Sequence, residues 1–423
     1  MNIYDIIDKK RHNLSLTKEE IDYFVFNYTN DNIKDYQASA LLMAIAINGM
    51  NDEEISNLTI AMTNSGDRMD LSNLNNTIDK HSSGGVGDKT TLIISPIIAC
   101  LGGSVAKMSG RGLGYTGGTI DKLESIGMNV TLSNQEFIKQ VKDIGLAVVS
   151  QTANLALADK KIYALRDVTA TVDSIPLIAS SIMSKKIAGS SKNLVLDVKV
   201  GTGAFMKDVK EATKLGEKMV MIAKTNGINA TCILTNMNEP LGNKIGNALE
   251  VMEAIEVLKN KGPEDLKEIS ICLATHMNML INNIGYNEAR KQVVEVLENG
   301  MAYNKFVEWV NYQGGDLNSQ GKVKFYEVKS ENDGYISSMD TEVIGKVSCM
   351  LGCGRSNKDD AIDYFAGIVL KAKTGDYVKK GSTVAVFYTN KENVEELIKY
   401  YLSSLTYSNK KVKREKLILK VIK

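Results

Sequence analysis

The chain has 423 residues, 43% of them hydrophobic, so it is long enough to bury a sizeable core and to form two or three domains. Its 51 Lys and Arg residues nearly balance its 50 Asp and Glu residues, and the formal net charge of +1 excludes the strongly basic surface typical of proteins that bind nucleic acid or acidic membranes. No apolar run reaches the roughly 18 residues of a membrane-spanning helix. The first residues lack the pattern of a signal peptide and the five cysteines are scattered, so we expect a cytoplasmic protein.

The first 65 residues have helical patterns. Thr17 and Glu20 have the spacing of a capping box, which predicts a helix beginning beside them. The segment Tyr36–Ile47 is rich in Ala, Leu, Met and Ile and predicts a closely packed helix that ends at Gly49. Ser65–Asn76 is polar and is interpreted as a connector, either a hinge between domains or an inert surface linker.

A glycine-rich segment, Lys80–Thr91, carries Lys-His-Ser-Ser before Gly84, Gly85 and Gly87. The apolar run Leu92–Cys100 follows and predicts a buried helix. Glycines let backbone N–H groups turn towards a ligand, and a helix N-terminus adds partial positive charge. The segment therefore favours a bound anion, most simply phosphate, over an ordinary structural turn.

A second segment, Lys107–Thr119, has five glycines among thirteen residues and interleaves them with Lys, Arg, Ser and Thr. This composition favours a ligand-binding loop over a flexible surface loop, because glycine loses extra backbone entropy when it is ordered. Two anion-binding segments within forty residues predict one shared site.

Beyond this point, short β-branched runs alternate with helical patterns, which predicts an α/β sheet. The predicted strands of this sheet include Ala147–Ser150, Asn193–Val200 and Thr231–Thr235. The segment Asp197–Met206 follows a buried strand, where α/β sheets place ligands. After Ser330 the pattern changes to a separate α+β unit with strands predicted at Gly334–Ser338, Val347–Ser348, Gly367–Leu370 and Thr383–Tyr388.

The two glycine-rich segments, with Tyr163–Thr171 and Ser181–Lys186, resemble the motifs of the pyrimidine-nucleoside and thymidine phosphorylases, in order and over essentially the whole chain. The resemblance implies an α/β protein in three parts: a discontinuous all-α domain, a large α/β domain with a mixed sheet, and a small C-terminal α+β domain. The expected boundaries are residues 1–65 with 160–190, residues 77–159 with 191–330, and residues 331–423. The resemblance also implies a homodimer formed through the helical domain, and a cleft that closes by rigid-body motion.

The implied activity is the reversible phosphorolysis of pyrimidine nucleosides (uridine, thymidine, deoxyuridine) to free base and (deoxy)ribose 1-phosphate in pyrimidine salvage. Inorganic phosphate is the co-substrate and no organic cofactor is expected. The pattern at Ser181–Lys186 favours the broad bacterial enzymes over a thymidine-specific one. A phosphoribosyltransferase of related fold is an alternative, but it would need acidic residues beside the glycine loops to hold magnesium, and none is evident as a cluster. A non-catalytic nucleotide-binding protein is a further alternative, but it would not need His81 together with the residues Arg166, Ser181 and Lys185 that are expected to hold the base.

The resemblance assigns site residues position by position. Arg166, Ser181 and Lys185 would clamp the base, whose carbonyls accept from Arg and Lys and whose N3–H donates to Ser. The alternative for Arg166 is an ion pair with Asp167 or another acid, and Phe205 is expected either at the substrate or in the core. His81, with Arg166 and Lys185, is implied in catalysis, either protonating O2 of the departing base or only donating a hydrogen bond. The implied phosphate contacts are Lys80, His81, Ser82, Thr91, Lys107, Met108, Ser109 and Thr119.

Some members of the family carry a monovalent cation, potassium, near the phosphate loop. The corresponding positions here are Gly87, Lys89, Leu241, Lys244 and Glu253. Lys89 stands where the family usually has Thr, and Lys244 where it usually has a small residue, and their ammonium groups would oppose a bound cation. Tyr115 stands where many relatives have His.

Overall fold

The computed structural model describes residues 1–112, 115, 117–151, 154–319, 321–355 and 360–423. Part of the second glycine-rich segment, Leu113, Gly114 and Thr116, lies outside the described residues. The helices are α1 Ile3–Arg11, α2 Lys18–Thr29, α3 Asp35–Asn48, α4 Asp52–Thr63, α5 Thr90–Cys100, α6 Thr119–Glu124, α7 Asn134–Ile144, α8 Leu157–Arg166, α9 Ile175–Ala188, α10 Val209–Thr225, α11 Asn247–Leu258, α12 Glu264–Asn282, α13 Tyr286–Glu298, α14 Met301–Tyr312, α15 Thr341–Ser348 and α16 Glu395–Ser403. The strands are β1 Thr77–Ser82, β2 Ser104–Ser109, β3 Leu146–Ser150, β4 Asn193–Val200, β5 Asn229–Asn236, β6 Lys244–Ile245, β7 Lys324–Lys329, β8 Gly334–Met339, β9 Gly367–Leu370, β10 Tyr377–Val378, β11 Thr383–Thr389, β12 Leu405–Ser408 and β13 Ile418–Ile422.

A helical unit forms from α1–α4 together with α8 and α9. The predicted capping box begins α2: Glu20 N–H donates to Thr17 Oγ1 (3.3 Å) and Thr17 N–H donates to Glu20 Oε2 (2.7 Å). α3 ends at Gly49, whose φ of 72° lies in the left-handed region open to glycine. One apolar core joins α1–α4 to Ala158 and Ile162 of α8 and Leu177 of α9, so the helical unit is discontinuous in sequence.

The large sheet has the strand order β13-β5-β4-β1-β2-β3. β1 to β5 run parallel, and β13 pairs antiparallel with β5 at the edge, so the sheet is mixed as expected. β2 and β3 lie on one side of β1 in the sheet, and β4 and β5 lie on the other side. The strand order therefore reverses between β1 and β4, and the loops at the carboxyl ends of these strands border the crevice where open α/β sheets bind ligands.

Helices cover both faces of this sheet. α5 is buried along almost its whole length and packs with α12 and α14 on one face, which confirms the buried helix predicted from the apolar run. α9 and α10 pack on the other face. The connector after α4 is less exposed than its polar composition predicts, because its apolar side chains Met69, Leu71 and Leu74 are buried against β2 and β3.

The C-terminal unit contains a four-stranded sheet, β6-β9-β11-β7, and a three-stranded sheet, β10-β8-β12, both antiparallel. β7 precedes the boundary expected at residue 331 and pairs with β11, while β13 returns to the large sheet. The strand predicted at Val347–Ser348 is wrong, because these residues end α15. Asp340 caps that helix, and Ile344 and Val347 place one apolar face in the C-terminal core, where Leu351 follows just beyond the helix.

In the part of the chain that the structure describes, no helix combines the length and the apolar character that crossing a membrane requires.

Candidate active site

The first glycine-rich segment leaves the carboxyl end of β1 and enters α5. In it, Gly84 and Gly87 have φ values of 87° and 79°, conformations that favour glycine. Gly84 N–H donates to Ser82 Oγ (3.1 Å), and Ser82 Oγ donates to Asp88 Oδ2 (2.5 Å). The loop is thus held by its own side chains at the N-terminus of α5, where positive charge attracts an anion.

Lys80 lies beneath this loop with its side chain 2% exposed. Its Nζ lies 3.0 Å from Asp197 Oδ2 and 3.6 Å from Asp88 Oδ2, and it donates to Thr90 Oγ1 (2.7 Å). Burial opposes the charge of this ammonium, but Asp88 and Asp197 outweigh burial and raise the pKa of Lys80. Lys199, on the same face of β4 as Asp197, completes the group with Nζ 2.8 Å from Asp197 Oδ2.

A second buried group surrounds Asp79. Lys107 Nζ on β2 lies 3.3 Å from Asp79 Oδ1, and Lys186 Nζ on α9 lies 2.7 Å from Asp79 Oδ2. Burial alone would raise the pKa of Asp79, but the two ammonium groups outweigh it and hold the pKa at about 2. Burial lowers the pKa of Lys107 to about 8, because Asp79 only partly compensates for desolvation and for the neighbouring lysines.

Around β1, four lysines therefore face three carboxylates: Lys80, Lys107, Lys186 and Lys199 against Asp79, Asp88 and Asp197. Three carboxylates thus lie beside the glycine loop, although they do not form a cluster in the sequence. Each of these carboxylates nevertheless lies within salt-bridge distance of lysine, and no cluster of His, Cys, Asp and Glu suited to a metal occurs among the described residues. The group has one positive charge in excess, which suits an anionic ligand.

His81 follows Lys80 and faces the cleft. Desolvation lowers the pKa of His81 well below its usual value, and the ammonium groups of Lys186 and Lys107 lower it further. The imidazole is therefore neutral at physiological pH and offers one N–H donor and one acceptor.

The helical unit supplies the other wall of the cleft. Arg166 ends α8 and is 1% exposed; its guanidinium donates to the main-chain carbonyls of Thr171 (3.2 Å), Leu177 (3.1 Å) and Val172 (2.7 Å). These bonds fix the guanidinium in the turn between α8 and α9, in place of the ion pair with Asp167 that was the alternative.

Lys185 and Ser181 lie one turn apart on α9, as their spacing predicts. Lys185 Nζ donates to Ser181 Oγ (3.3 Å) and to Asp159 Oδ2 (2.5 Å). The Asp159 side chain is 4% exposed, and its Oδ1 has no hydrogen-bond partner among the described residues. The sequence analysis does not identify Asp159. Its position seven residues before Arg166 on the same helix places both side chains on one face, and this spacing is the signal that could have indicated it.

A cleft of about 440 Å³ separates the two units. His81, Ser82, Ser83 and Gly84 line it from the α/β side. Phe205 is 43% exposed and lines the cleft with Met206, which favours the substrate position over the core position expected as its alternative. The helical side and the remaining wall contribute Tyr163, Arg166, Val172, Ile178, Ser181, Ile182, Lys185, Leu215 and Tyr115.

The remaining residues expected to bind phosphate lie around the carboxyl edge of the sheet. Thr91 is the second residue of α5 and is buried, Ser109 ends β2 half-buried, and Thr119 begins α6. Met108 is 7% exposed and its side chain packs in the apolar cluster beside α7, so only its main chain is available to a ligand.

The five residues expected to hold potassium come together, but they do not fit a bound ion. The Lys89 ammonium donates to the main-chain carbonyls of Leu241 (3.0 Å) and Lys244 (2.7 Å) and to Glu253 Oε2 (2.7 Å). Gly87 packs against this set, since a Cβ on it would lie 2.6 Å from Leu241 O. The positive charge among these oxygens is the lysine side chain itself.

The glycine loop at the switch point of the α/β sheet faces Arg166, Ser181 and Lys185 on the helical unit. This arrangement suits a group-transfer enzyme with one anionic substrate. Comparison with known proteins agrees. The chain matches the helical bundle domain of the glycosyl transferase family over residues 4–66, the a/b domain of that family over residues 74–303, and the pyrimidine nucleoside phosphorylase C-terminal domain over residues 335–408.

Similar curated proteins cover nearly the whole chain. It is 50% identical to the pyrimidine-nucleoside phosphorylase of Staphylococcus epidermidis, with 97% of each chain covered, and 49% identical to that of Geobacillus stearothermophilus, with 94% of each covered. The chain therefore belongs to the pyrimidine-nucleoside phosphorylase family. Anthranilate phosphoribosyltransferase from Thermus thermophilus shares the fold, with a TM-score of 0.60, 16% identity, and coverage of 73% of this chain and 99% of that one.

Proposed function

We propose that the protein catalyses the reversible phosphorolysis of pyrimidine nucleosides. Inorganic phosphate attacks C1′ of the sugar, the bond between C1′ and N1 breaks, and its electron pair leaves with the base. The products are the free base and (deoxy)ribose 1-phosphate. One observation carries the proposal: the cationic glycine loop and the Arg166, Ser181 and Lys185 group face each other across a cleft of about 440 Å³.

The α/β side supplies the phosphate site. The N-terminus of α5 suits the phosphate oxygens, and the Ser82 hydroxyl would turn its proton from Asp88 Oδ2 to the anion. The excess positive charge around Lys80 and Lys107 offsets the charge of the anion. The glycines let the backbone approach the anion closely. Phosphate held there would lie next to His81 and across the cleft from Arg166, Ser181 and Lys185.

The helical side supplies the base site. A guanidinium has five N–H donors, and Arg166 uses three on main-chain carbonyls, which leaves two for a carbonyl of the base. Lys185 donates to the other carbonyl and Ser181 accepts from N3–H. These hydrogen bonds strengthen as negative charge develops on the departing base, so they stabilise the transition state more than the bound nucleoside.

We propose that His81 donates a neutral N–H hydrogen bond to O2 of the base. Its neutral state follows from desolvation and from the ammonium groups of Lys186 and Lys107. Binding of a phosphate dianion would raise the pKa of His81 and strengthen this bond at the moment of reaction.

Closure of the cleft would exclude water and prevent hydrolysis of the nucleoside. We propose that the chain bends at Ser65–Asp67, where Ser65 Oγ accepts from Ala158 N–H (2.8 Å) and Asp67 N–H donates to Asn154 O (2.9 Å). The following residues pack against β2 and β3, and Met69 N–H also donates to the carbonyl of Ala188 at the end of α9 (2.9 Å).

The proposal includes uridine, thymidine and deoxyuridine as substrates, a homodimer and a cytoplasmic location. Support for the homodimer is the exposure of large apolar side chains on α2 and α3, with Phe26 at 65%, Tyr36 at 73% and Ile47 at 75%. The scattered cysteines support the cytoplasm. A thymidine-specific enzyme is the alternative for the substrate.

The test is release of free base from uridine, thymidine and cytidine, with and without phosphate. We expect uracil and thymine at comparable rates and only when phosphate is present. Thymine alone would establish the thymidine-specific alternative. No release from any nucleoside, with turnover of a free base and phosphoribosyl pyrophosphate instead, would overturn the proposal in favour of a phosphoribosyltransferase.

A further inference from the structure

Lys89 connects three parts of the α/β unit at one buried point. It lies near the end of the first glycine-rich segment, directly before α5, and its side chain is fully buried, as is that of Glu253 on α11. Its other two acceptors, the carbonyls of Leu241 and Lys244, belong to the segment between β5 and α11. That segment continues into β6, which pairs with β9 of the C-terminal unit.

The oxygen atoms around the ammonium form a cage suited to one monovalent cation. Two main-chain carbonyls and one carboxylate converge on Lys89 Nζ at 2.7–3.0 Å, and the same carboxylate accepts from the main-chain N–H groups of Asn243 (2.9 Å) and Lys244 (3.1 Å). Gly242 is required there, because a Cβ on it would lie 2.2 Å from Glu253 Oε2 and 3.2 Å from Lys89 Nζ. Without a cation, these oxygens would repel one another in a buried site.

The charge of Lys89 is maintained by its surroundings. Burial disfavours the ammonium, but Glu253 and Glu250 outweigh burial and raise the pKa of Lys89. Lys244 does not compete for the cage, because its own ammonium pairs with Glu256 (2.6 Å). Lys244 contributes its main-chain carbonyl and N–H instead.

We propose that the Lys89 ammonium is a built-in replacement for a bound monovalent cation, and that this protein holds its phosphate loop in place without potassium. Lys89 is a positioning residue, because its buried side chain does not line the cleft and acts through the loop that ends at Asp88. Shortening its side chain would open a cage that potassium can enter.

The experiment compares the wild type with Lys89→Thr and Lys89→Met. Thr vacates the position of the ammonium and leaves a hydroxyl as a further oxygen ligand, whereas Met fills the space with an apolar chain and leaves no room for an ion. Each protein is studied in choline chloride, sodium chloride and potassium chloride at equal ionic strength. Thermal unfolding is recorded first, since it requires no assumption about the substrate, and the KM for phosphate second.

For the wild type we expect the same Tm and the same phosphate KM, within about twofold, in all three salts. For Lys89→Thr we expect a lower Tm in choline chloride, a saturable rise of about 5 °C or more with potassium, and a phosphate KM that falls about tenfold as potassium binds. For Lys89→Met we expect destabilisation with no selective response to potassium.

Two results would overturn the inference. One is a saturable, potassium-selective response of the wild type. The other is a Lys89→Thr variant that behaves alike in choline and potassium chloride, whether it folds in both or in neither. Folding of Lys89→Thr only in potassium chloride would support the inference. If the Tm values follow the expected pattern but no base is released, the inference that Lys89 replaces the cation stands. Only the proposed reaction is then contradicted.

Discussion

Asp159→Asn tests how the base-binding lysine is oriented. The carboxylate of Asp159 accepts from Lys185 Nζ at 2.5 Å, and the other partner of that ammonium is Ser181 Oγ at 3.3 Å. The substitution keeps the size of the side chain and removes its charge. Lys185 then loses its main orienting bond and is expected to populate positions away from the base.

A hydrogen bond to a charged group contributes about 1.5–3 kcal/mol. The Lys185 side chain is 25% exposed, so we take the lower end, about 1.5 kcal/mol, which corresponds to about a tenfold loss of kcat/KM. Stability should change little, because Asp159 Oδ1 has no partner among the described residues and an amide is cheaper to bury than a carboxylate. The expected result is a tenfold loss of activity without a lower Tm.

The assay is steady-state uracil release from uridine at saturating phosphate, with Tm measured on the same samples. Asp167→Asn is the matched control, since Asp167 is exposed at the end of the same helix, and it should retain wild-type kinetics. In a Lys185→Met background, Asp159→Asn should cause no further loss, because the interaction is already removed. A kcat/KM for Asp159→Asn within twofold of the wild type, or an equal loss for Asp167→Asn, would refute this reasoning.

Three further predictions concern the α/β side. The Lys107 ammonium has a pKa of about 8, so its charge is present below that pH and lost above it. The phosphate KM should therefore rise above about pH 8, and Lys107→Arg should remove the rise. An unchanged KM up to pH 9 would count against a role for Lys107. Because His81 is neutral, the kcat/KM of the wild type divided by that of His81→Gln should stay constant from pH 6 to 8. If His81 acted as an imidazolium acid, this ratio would fall as the pH rises. Gly87→Ala should lower Tm and raise the phosphate KM, because φ is 79° and the new Cβ would lie 2.6 Å from Leu241 O. Gly102→Ala controls for backbone strain alone, since φ is 85° and no atom of the described residues lies within 4 Å of a Cβ there.

Local patterns predicted the elements in which one physical effect dominates. The apolar run Leu92–Cys100 forms a buried helix because nearly every side chain must leave water, and the capping box at Thr17 begins α2 because local hydrogen bonds determine it. Val347–Ser348 was misassigned because two apolar or small residues carry no period, and the cap at Asp340 determines the helix.

The predicted ligand-facing residues depended on the family resemblance, whereas their buried partners required the structure. Asp197 and Lys199 alternate with apolar residues along β4, a pattern typical of a strand with one face in water, yet every residue of β4 is buried. The two charges lie on the same face of β4 and pair with each other there, together with Lys80 from the adjacent strand. The contact with Lys80, which is distant from this pair in the sequence, leaves no local signal.

The contacts of the Lys89 ammonium likewise required the structure. The sequence placed Lys89 among the expected potassium ligands and identified its charge as a conflict with a bound cation. Only the course of the side chain, towards the carbonyls of Leu241 and Lys244 and the carboxylate of Glu253, shows that the charge itself occupies the cage.

The central claim is that phosphate attacks the sugar at C1′ as the base departs. The most direct measurement supplies ³²P-labelled inorganic phosphate with uridine and quantifies labelled ribose 1-phosphate and uracil from the same reaction. We expect one labelled sugar phosphate for each uracil, and no uracil when phosphate is omitted. Uracil released without label in the sugar, or at the same rate without phosphate, would mean that the enzyme hydrolyses the nucleoside and does not transfer its sugar to phosphate.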